Sequence, residues 1–159
     1  MANARTEAFV ARQPIFDRNQ NVFAYELLFR SGLNNYFKHL DGDQASSKVI
    51  VDTFLLFGIE RMTDNRRAFI NFTHDLLVGD YASILLNQAV VIEILEDVKP
   101  DEEIEAACKK LKQAGFMLAL DDFVDNENYA SLLSLADIII NVSISYAILP
   151  LVVINTSRK

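Results

Sequence analysis

Cysteine and histidine are scarce in this chain, and both shortages restrict its chemistry. The sequence has one cysteine and two histidines among 159 residues. One cysteine cannot form an internal disulfide, so a reducing, cytoplasmic setting is expected. Cys108 lies on the apolar stripe of a predicted helix, which indicates a small core residue rather than a reactive thiol. His39 and His74 lack a metal-ligand partner at useful spacing, so surface or capping roles are expected.

Basic clusters and long apolar runs are also missing. Fifteen Lys and Arg residues stand against 22 Asp and Glu residues, and no basic run could neutralise a nucleic-acid polymer. A phosphate-bearing ligand would therefore need a metal ion. The opening MANARTEAFVARQ has no apolar core or cleavage site of a signal peptide. Polar residues and a proline interrupt the apolar segment 138–154, so no membrane span is expected.

The remaining composition indicates one globular domain of alternating strands and helices. The chain is 51% hydrophobic and 23% charged. Strand patterns occur in AFVARQPIF, NVFAYELLFR, RAFINF, AVVIEIL, FMLALDD and DIIINVSI, and the turn-like DRNQN joins the first two as a hairpin or as neighbouring strands. Helical patterns cover 44–58, 99–115 and 126–136, and THDLLVGDYASILLN is helical or irregular. This order predicts a parallel sheet with helical crossovers, either open and doubly wound or part of a (β/α) barrel.

The helix predicted over 99–115 has the clearest ends. Acids crowd its beginning and lysines its end, which complements the helix dipole. Pro100 suits the first turn, and Gly115 can take the left-handed conformation that ends a helix.

Polar side chains lie in or at the end of four predicted strands. An apolar strand ends in Asp121 and Asp122, although the second of these could simply cap the next helix. Glu93 stands in the apolar strand VVIEIL, where a buried carboxylate must be paired, metal-bound or neutral. Asn71 has a similar need for partners, and Glu26 completes the set. Because the strand ends of a barrel meet at one mouth, these oxygen ligands favour a hard ion such as Mg²⁺ or Mn²⁺ over zinc.

Five motifs resemble, in the correct order, the EAL domain of bacterial cyclic di-GMP phosphodiesterases: ARQPIF, YELLFR, FINF, VIEILE and LALDDF. The stretch ARQPIFDRNQNVFAYELLFR, together with DDF followed by Val124, is most similar to divergent EAL domains that precede an HDOD domain. The likeness covers residues 11–141 of a single partial domain, 1–159, and leaves 142–159 as a divergent tail. It implies a TIM-type (β/α) barrel that is incomplete at the C-terminus.

The resemblance also implies a role for each matching residue. The implied metal ligands are Glu26, Asn71, Glu93, Asp121 and Asp122, with Mg²⁺ or Mn²⁺ as the ion and with Glu26 and Asp122 also counted as catalytic.

Three further residues match family positions around that centre. Gln13 and Arg30 correspond to positions at the cyclic dinucleotide site. Glu96 corresponds to the second acid of a Glu-x-x-Glu pair, which orders a loop beside the metals and is counted as catalytic.

The chain departs from the family pattern after its fifth motif. Where family members carry Lys-Val-Asp, this chain has Asn141, Val142 and Ser143, and an asparagine cannot supply the cation credited with activating the attacking water. The sequence then stops before the last strands of a complete barrel. A barrel left open would expose strand edges and apolar surface, so a homo-oligomer that packs residues 144–154 against another subunit is expected.

These departures favour a degenerate bacterial signalling domain over an active enzyme. The expected domain is catalytically impaired, and it acts through cyclic di-GMP or a protein signalling partner. The alternative is an active, metal-dependent phosphodiesterase that converts cyclic di-GMP to linear pGpG. A third hypothesis is a gene fragment without function. Losing one member of a cooperating catalytic set can cost orders of magnitude in rate, which sets the active enzyme second.

Overall fold

Strands and helices alternate along the described chain, as the sequence predicts. The computed structural model describes residues 8–17, 19–31, 58–121, 129–141 and 151–154. The strands are β1 (Ala8–Phe16), β2 (Val22–Ser31), β3 (Arg67–Phe72), β4 (Val90–Ile94), β5 (Met117–Asp121), β6 (Ile138–Asn141) and β7 (Leu151–Ile154). The helices are α1 (Ile59–Met62), α2 (His74–Val78), α3 (Glu102–Gln113) and α4 (Ala130–Leu135), with a 3-10 turn at Tyr81–Ile84. The helix predicted over 44–58 lies outside the described residues, apart from Gly58.

The first two strands form an antiparallel hairpin whose turn is held by Asp17. Its Oδ1 accepts hydrogen bonds from the backbone N–H groups of Asn19 at 2.8 Å and Asn21 at 2.9 Å. The bond from Asn21 is the main reason that the pKa of the Asp17 carboxyl lies below its ordinary value. The turn DRNQN therefore supplies its own side-chain acceptor, and of the two predicted arrangements, a hairpin or neighbouring strands, the structure has the hairpin.

Helix α3 begins at a side-chain cap and ends at a left-handed glycine. Asp101 is the N-cap, and its Oδ1 accepts a hydrogen bond of 2.8 Å from the N–H of Ile104. Pro100 precedes this cap, so its expected place in the first turn is wrong: the Asp101 carboxylate can satisfy a backbone donor and proline cannot. Gly115 has φ 86°, as predicted. Cys108 is buried on the core face of α3, and burial raises the pKa of its thiol to about 11.

The seven strands form one closed barrel in sequence order. Strands β2 to β6 are parallel to one another, β7 returns antiparallel to β6, and β7 meets β1 through the pair Phe16 and Leu151. A complete (β/α) barrel has eight parallel strands, so the predicted incomplete TIM-type fold is confirmed. The expectation of an open edge is wrong for β6, because the backbone of β7 pairs with it and closes the ring.

Two apolar layers lie on opposite faces of the strands. Inside the ring, buried side chains form an interior core of Ile15, Ala24, Phe69, Val91, Ala119, Ile138 and Ile140. Outside it, the alternate residues Ala68, Ile70 and Phe72 of β3 join a larger core beneath the helices. The alternation therefore assigns Asn71 to the inner face, together with Phe69.

Candidate metal and nucleotide site

Glu26 and Asn71 come together at the carboxyl end of the barrel interior. Glu26 lies on β2 opposite Phe69 of β3, and Asn71 follows two residues later on the same face. The Asn71 side-chain amide donates a hydrogen bond of 3.0 Å from Nδ2 to Oε1 of Glu26. Burial raises the pKa of the Glu26 carboxyl, and the bond from Asn71 opposes this shift by favouring the ionised form.

Glu93 and Asp121 extend this polar set around the ring. Glu93 is the register partner of Asn71 on β4, and it is only 2% exposed. On β5, Ala119 pairs with Glu93, and Asp121 follows two residues later on the same face. Strand alternation therefore assigns all four predicted ligands to the inner face, near the carboxyl ends of neighbouring strands.

The chemistry of the donor set fits a hard divalent cation. Asn71 Oδ1 is buried and accepts no hydrogen bond from the described residues, while Nδ2 of the same amide is used by Glu26. A buried oxygen without a donor is costly, and a cation such as Mg²⁺ or Mn²⁺ would satisfy it. No three His, Cys, Asp or Glu side chains in the described ranges are placed to hold a metal by themselves. Glu26, Glu93 and Asp121 are all described, so these three carboxylates share the inner face without forming such a group, and Asp122 lies outside those ranges.

Two bacterial proteins are similar to most of the chain, although no family model matches it. YuxH of Bacillus subtilis is 43% identical over 136 residues, which make up 82% of this chain and 33% of that protein. CdgJ of Vibrio cholerae, named a cyclic di-GMP phosphodiesterase, is 41% identical over 117 residues, with 73% of this chain and 27% of that protein covered. The chain thus spans about a third or less of the length of these relatives.

Solved structures share the fold at lower sequence identity. The PaMucR phosphodiesterase in complex with c-di-GMP matches with a TM-score of 0.63 and 18% identity, covering 83% of this chain and 68% of that one. YkuI of Bacillus subtilis, which has an EAL domain, matches with a TM-score of 0.56 and 19% identity over 83% of this chain and 40% of that one. The chain is an EAL-like domain. A manganese and cyclic di-GMP complex of BlrP1 from Klebsiella pneumoniae also matches, with a TM-score of 0.58 and 21% identity over 86% of this chain and 40% of that one.

The other predicted site residues of the EAL-like domain differ in where they lie relative to the four inner-face ligands. Gln13 is the register partner of Glu26 across the hairpin, so both lie on the inner face. Arg30 lies near the end of β2, where only its backbone is described. Glu96 follows β4 and is exposed, and its carbonyl accepts a hydrogen bond of 3.4 Å from the Tyr129 hydroxyl. Asp122 lies outside the described residues.

The histidine expectation can be checked at one of its two positions. His74 lies in the first turn of α2, with its ring nitrogens 3.2 Å from Asp75 Oδ1 and 3.5 Å from Asp101 Oδ2. Its side chain is 42% exposed. These contacts agree with the expected surface role at the start of a helix, while His39 lies outside the described residues.

Two residues near the mouth were missed by the sequence reasoning. Ile140, rather than Asn141, is the buried inner-face residue that pairs with Asp121, and the side chain of Asn141 is outside the described part of the chain. Thr73 directly follows β3, and its buried Oγ1 has no hydrogen bond to any described residue. The inward position of Thr73 could have been predicted, because Phe69, Asn71 and Thr73 are alternate residues along one face of the strand. The sequence does not indicate which residues of β6 face inward, because three consecutive isoleucines suit either face.

Proposed function

We propose that this EAL-like domain binds cyclic di-GMP together with a divalent metal ion and hydrolyses the nucleotide slowly or not at all. The observation that carries the proposal is the bonded pair Glu26 and Asn71 on the same interior face as buried Glu93. The names of CdgJ, PaMucR and BlrP1 support cyclic di-GMP as the nucleotide, since each name or complex refers to it.

The proposed metal ligands are Glu26, Asn71, Glu93, Asp121 and Asp122, with Mg²⁺ or Mn²⁺ as the ion. When bound, such an ion would lower the pKa of a coordinated water and stabilise negative charge on a phosphate. Asn71 would turn its unsatisfied Oδ1 to the ion, and Glu26 would bind in its ionised form. Gln13 and Arg30 would contact the nucleotide, and Glu96 would order a loop beside the metal.

Weak hydrolysis follows from the composition of β6. A residue that activates or orients the attacking water would approach from the strand beside Asp121, and the inner-face residue there is Ile140. Neither Ile140 nor Asn141 can carry positive charge. Substrate binding and hydrolysis are therefore expected to be separable in this domain.

Calorimetry with cyclic di-GMP, in the presence and absence of Mn²⁺, tests the proposal. We expect binding that requires the metal and falls roughly tenfold or more in Glu26→Gln, because an amide replaces a charged ligand. Glu103→Gln, on the exposed surface of α3, is the matched control and should bind like the wild type. Binding that is absent, or that is unaffected by Glu26→Gln, would contradict the proposed site.

Active hydrolysis is the second candidate, favoured by the retained acidic set on the inner face. Analysis of the nucleotide after incubation with the protein and Mn²⁺ separates the two functions. Linear product that accumulates in proportion to protein, and is lost in Glu26→Ala, would establish the active enzyme and reject the impaired one.

Further proposals concern the molecule as a whole. We propose a single partial domain that works in the cytoplasm, forms homo-oligomers, and acts on a protein signalling partner. None of the described helices has the length and apolar character needed to cross a membrane.

A further inference from the structure

A cleft of about 420 Å³ lies at the amino ends of β3 and β4, the end of these strands opposite to the candidate site. Its lining includes Arg66 and Arg67 at the beginning of β3, and Leu86 and Asn87 in the turn before β4. We call it the amino-end cleft. Its volume falls in the range of about 300–1,000 Å³ typical of small-molecule sites. Neither the metal ligands nor the proposed nucleotide contacts line it.

The two arginines of the amino-end cleft are held in place by contacts that use one nitrogen each. Arg66 donates a hydrogen bond of 2.8 Å from Nε to the carbonyl of Val22. Nη1 of Arg67 contacts the sulfur of Met117 at the beginning of β5. The other guanidinium N–H groups remain for a ligand, and the bond that holds Arg66 reduces the side-chain entropy lost when a ligand binds.

The wall of the cleft formed by the turn before β4 is also anchored. Asn87 donates a hydrogen bond of 2.7 Å from Nδ2 to the carbonyl of Ala114. Leu86, 65% exposed, gives the same wall an apolar surface. The cleft therefore combines fixed polar groups with a place for a small apolar group.

The charge of the cleft differs from that of the chain. The chain has 22 acidic against 15 basic residues, yet neither Arg66 nor Arg67 forms an ion pair within the described residues. One carboxylate, Glu60, lines the cleft without approaching either guanidinium to ion-pair distance. Two adjacent cations without a carboxylate partner attract an oxyanion, and guanidinium groups match carboxylate and phosphate oxygens in geometry.

We infer that the amino-end cleft binds a small molecule with a carboxylate or phosphate group, held by Arg66 and Arg67, with Leu86 contacting its apolar part. Carboxylate and phosphate groups are both oxyanions, and titration with each decides which of them the cleft binds. Titrations of the full chain with inorganic phosphate and with succinate, at constant ionic strength, should be followed through backbone amide resonances in NMR spectra. We expect saturable shifts at Asn65 and Gln88, two cleft residues, in at least one titration.

Three variants make the test specific. Arg66→Gln should weaken the binding roughly tenfold, because one charged donor is lost. The affinity of Arg66→Lys should lie between those of Arg66→Gln and the wild type, because lysine keeps the charge but not the guanidinium geometry. Arg61→Gln, an exposed arginine of α1 outside the cleft lining, should leave the affinity unchanged. Shifts that rise without saturation in both titrations, or equal affinities in Arg66→Gln and wild type, would overturn the inference. Unchanged resonances of the interior core establish that each variant is folded.

Discussion

Two buried threonine hydroxyls in this chain have opposite surroundings. Thr63 Oγ1 lies 3.0 Å from the carbonyl of Ile59 and 2.6 Å from that of Arg66, whereas Thr73 Oγ1 has no hydrogen bond to a described residue. Thr63→Val should therefore lower the free energy of unfolding by about 1–3 kcal/mol, while Thr73→Val should raise it, because the variant removes a buried hydroxyl that has no described partner. Urea unfolding of both variants measures the difference. Equal losses would show that the Thr73 hydroxyl has a structural partner.

The buried carboxyl of Glu26 gives a pH dependence of stability to the metal-free protein. Burial raises its pKa in the folded state, so the folded protein binds the proton more tightly than the unfolded chain. Stability from this group is present at low pH and is lost as pH rises from the ordinary glutamate value, about 4.3, through the raised value. Glu26→Gln should thus gain stability relative to wild type as pH increases over this window.

Denaturant unfolding of both proteins in the presence of a chelator checks the Glu26 prediction. The difference in the free energy of unfolding between the two proteins reports on Glu26 alone. Carboxyls with lowered pKa values, such as Asp17 and Asp101, contribute equally to both proteins. A difference that does not change with pH would contradict the raised pKa.

At the scale of the element, the turn between α3 and β5 depends on a glycine for two reasons. Gly115 has φ 86°, and a Cβ at this position would lie 2.8 Å from Nδ2 of Asn87, which is itself bonded to the Ala114 carbonyl. Gly58 has φ 73° with no described heavy atom within 4 Å of such a Cβ. Gly115→Ala therefore combines a strain of about 1–2 kcal/mol for a positive φ in the left-handed region with this close contact, whereas Gly58, with ψ 122°, lies outside that region.

The predicted result is that Gly115→Ala loses more stability in the wild-type chain than in Asn87→Ala. The additional loss comes from displacing Asn87 and its hydrogen bond. Thermal unfolding of Gly115→Ala in the two backgrounds gives the comparison. Equal losses would show that the contact with Asn87 is not the dominant constraint.

Sequence patterns predicted an element well where its signals are local. The glycine at 115 and the Asp17 turn act within a few residues of themselves, so the C-terminal end of α3 and the first hairpin were predictable. The cap at Asp101 was missed, because Pro100 was expected in the first turn. The sequence predicted that Glu26 and Asn71 lie close together at the barrel mouth. It did not predict their hydrogen bond, because that bond depends on the tilt of neighbouring strands. The antiparallel return of β7 was not predicted, because its partner β6 is apolar on both faces and fixes no register.

At the scale of the whole molecule, closure of the barrel depends on a narrow contact. β7 pairs with β6 through four residue pairs but with β1 only through Phe16 and Leu151. Removing residues 151–159 should therefore expose the edge of β6 and lower the stability of the fold. Urea unfolding of the truncated chain, with the full chain as the control, measures the loss. A truncated chain that is as stable as the full one would show that β7 does not protect this edge.

The proposed homo-oligomer would form through the same strand, β7. Because β7 is joined to β6 by a stretch of residues 142–150, a β7 from a second subunit could occupy the same position in the same register. Light scattering of the full chain should show a dimer or larger species that dissociates on dilution. A full chain that is monomeric at every concentration would contradict this proposal.

Phe69, fully buried inside the ring, lies on β3 between Arg67 and Asn71. Four residues of an extended strand span only about 13 Å, so the cationic end and the carboxylate-bearing end of the barrel are close together. The buried apolar core around Phe69 separates the two ends by a region of low permittivity. A charge arriving at one end therefore changes the electrostatic potential at the other through protein rather than through solvent, where salt would screen it. Ions of opposite sign at the two ends would then strengthen each other's binding equally in both directions.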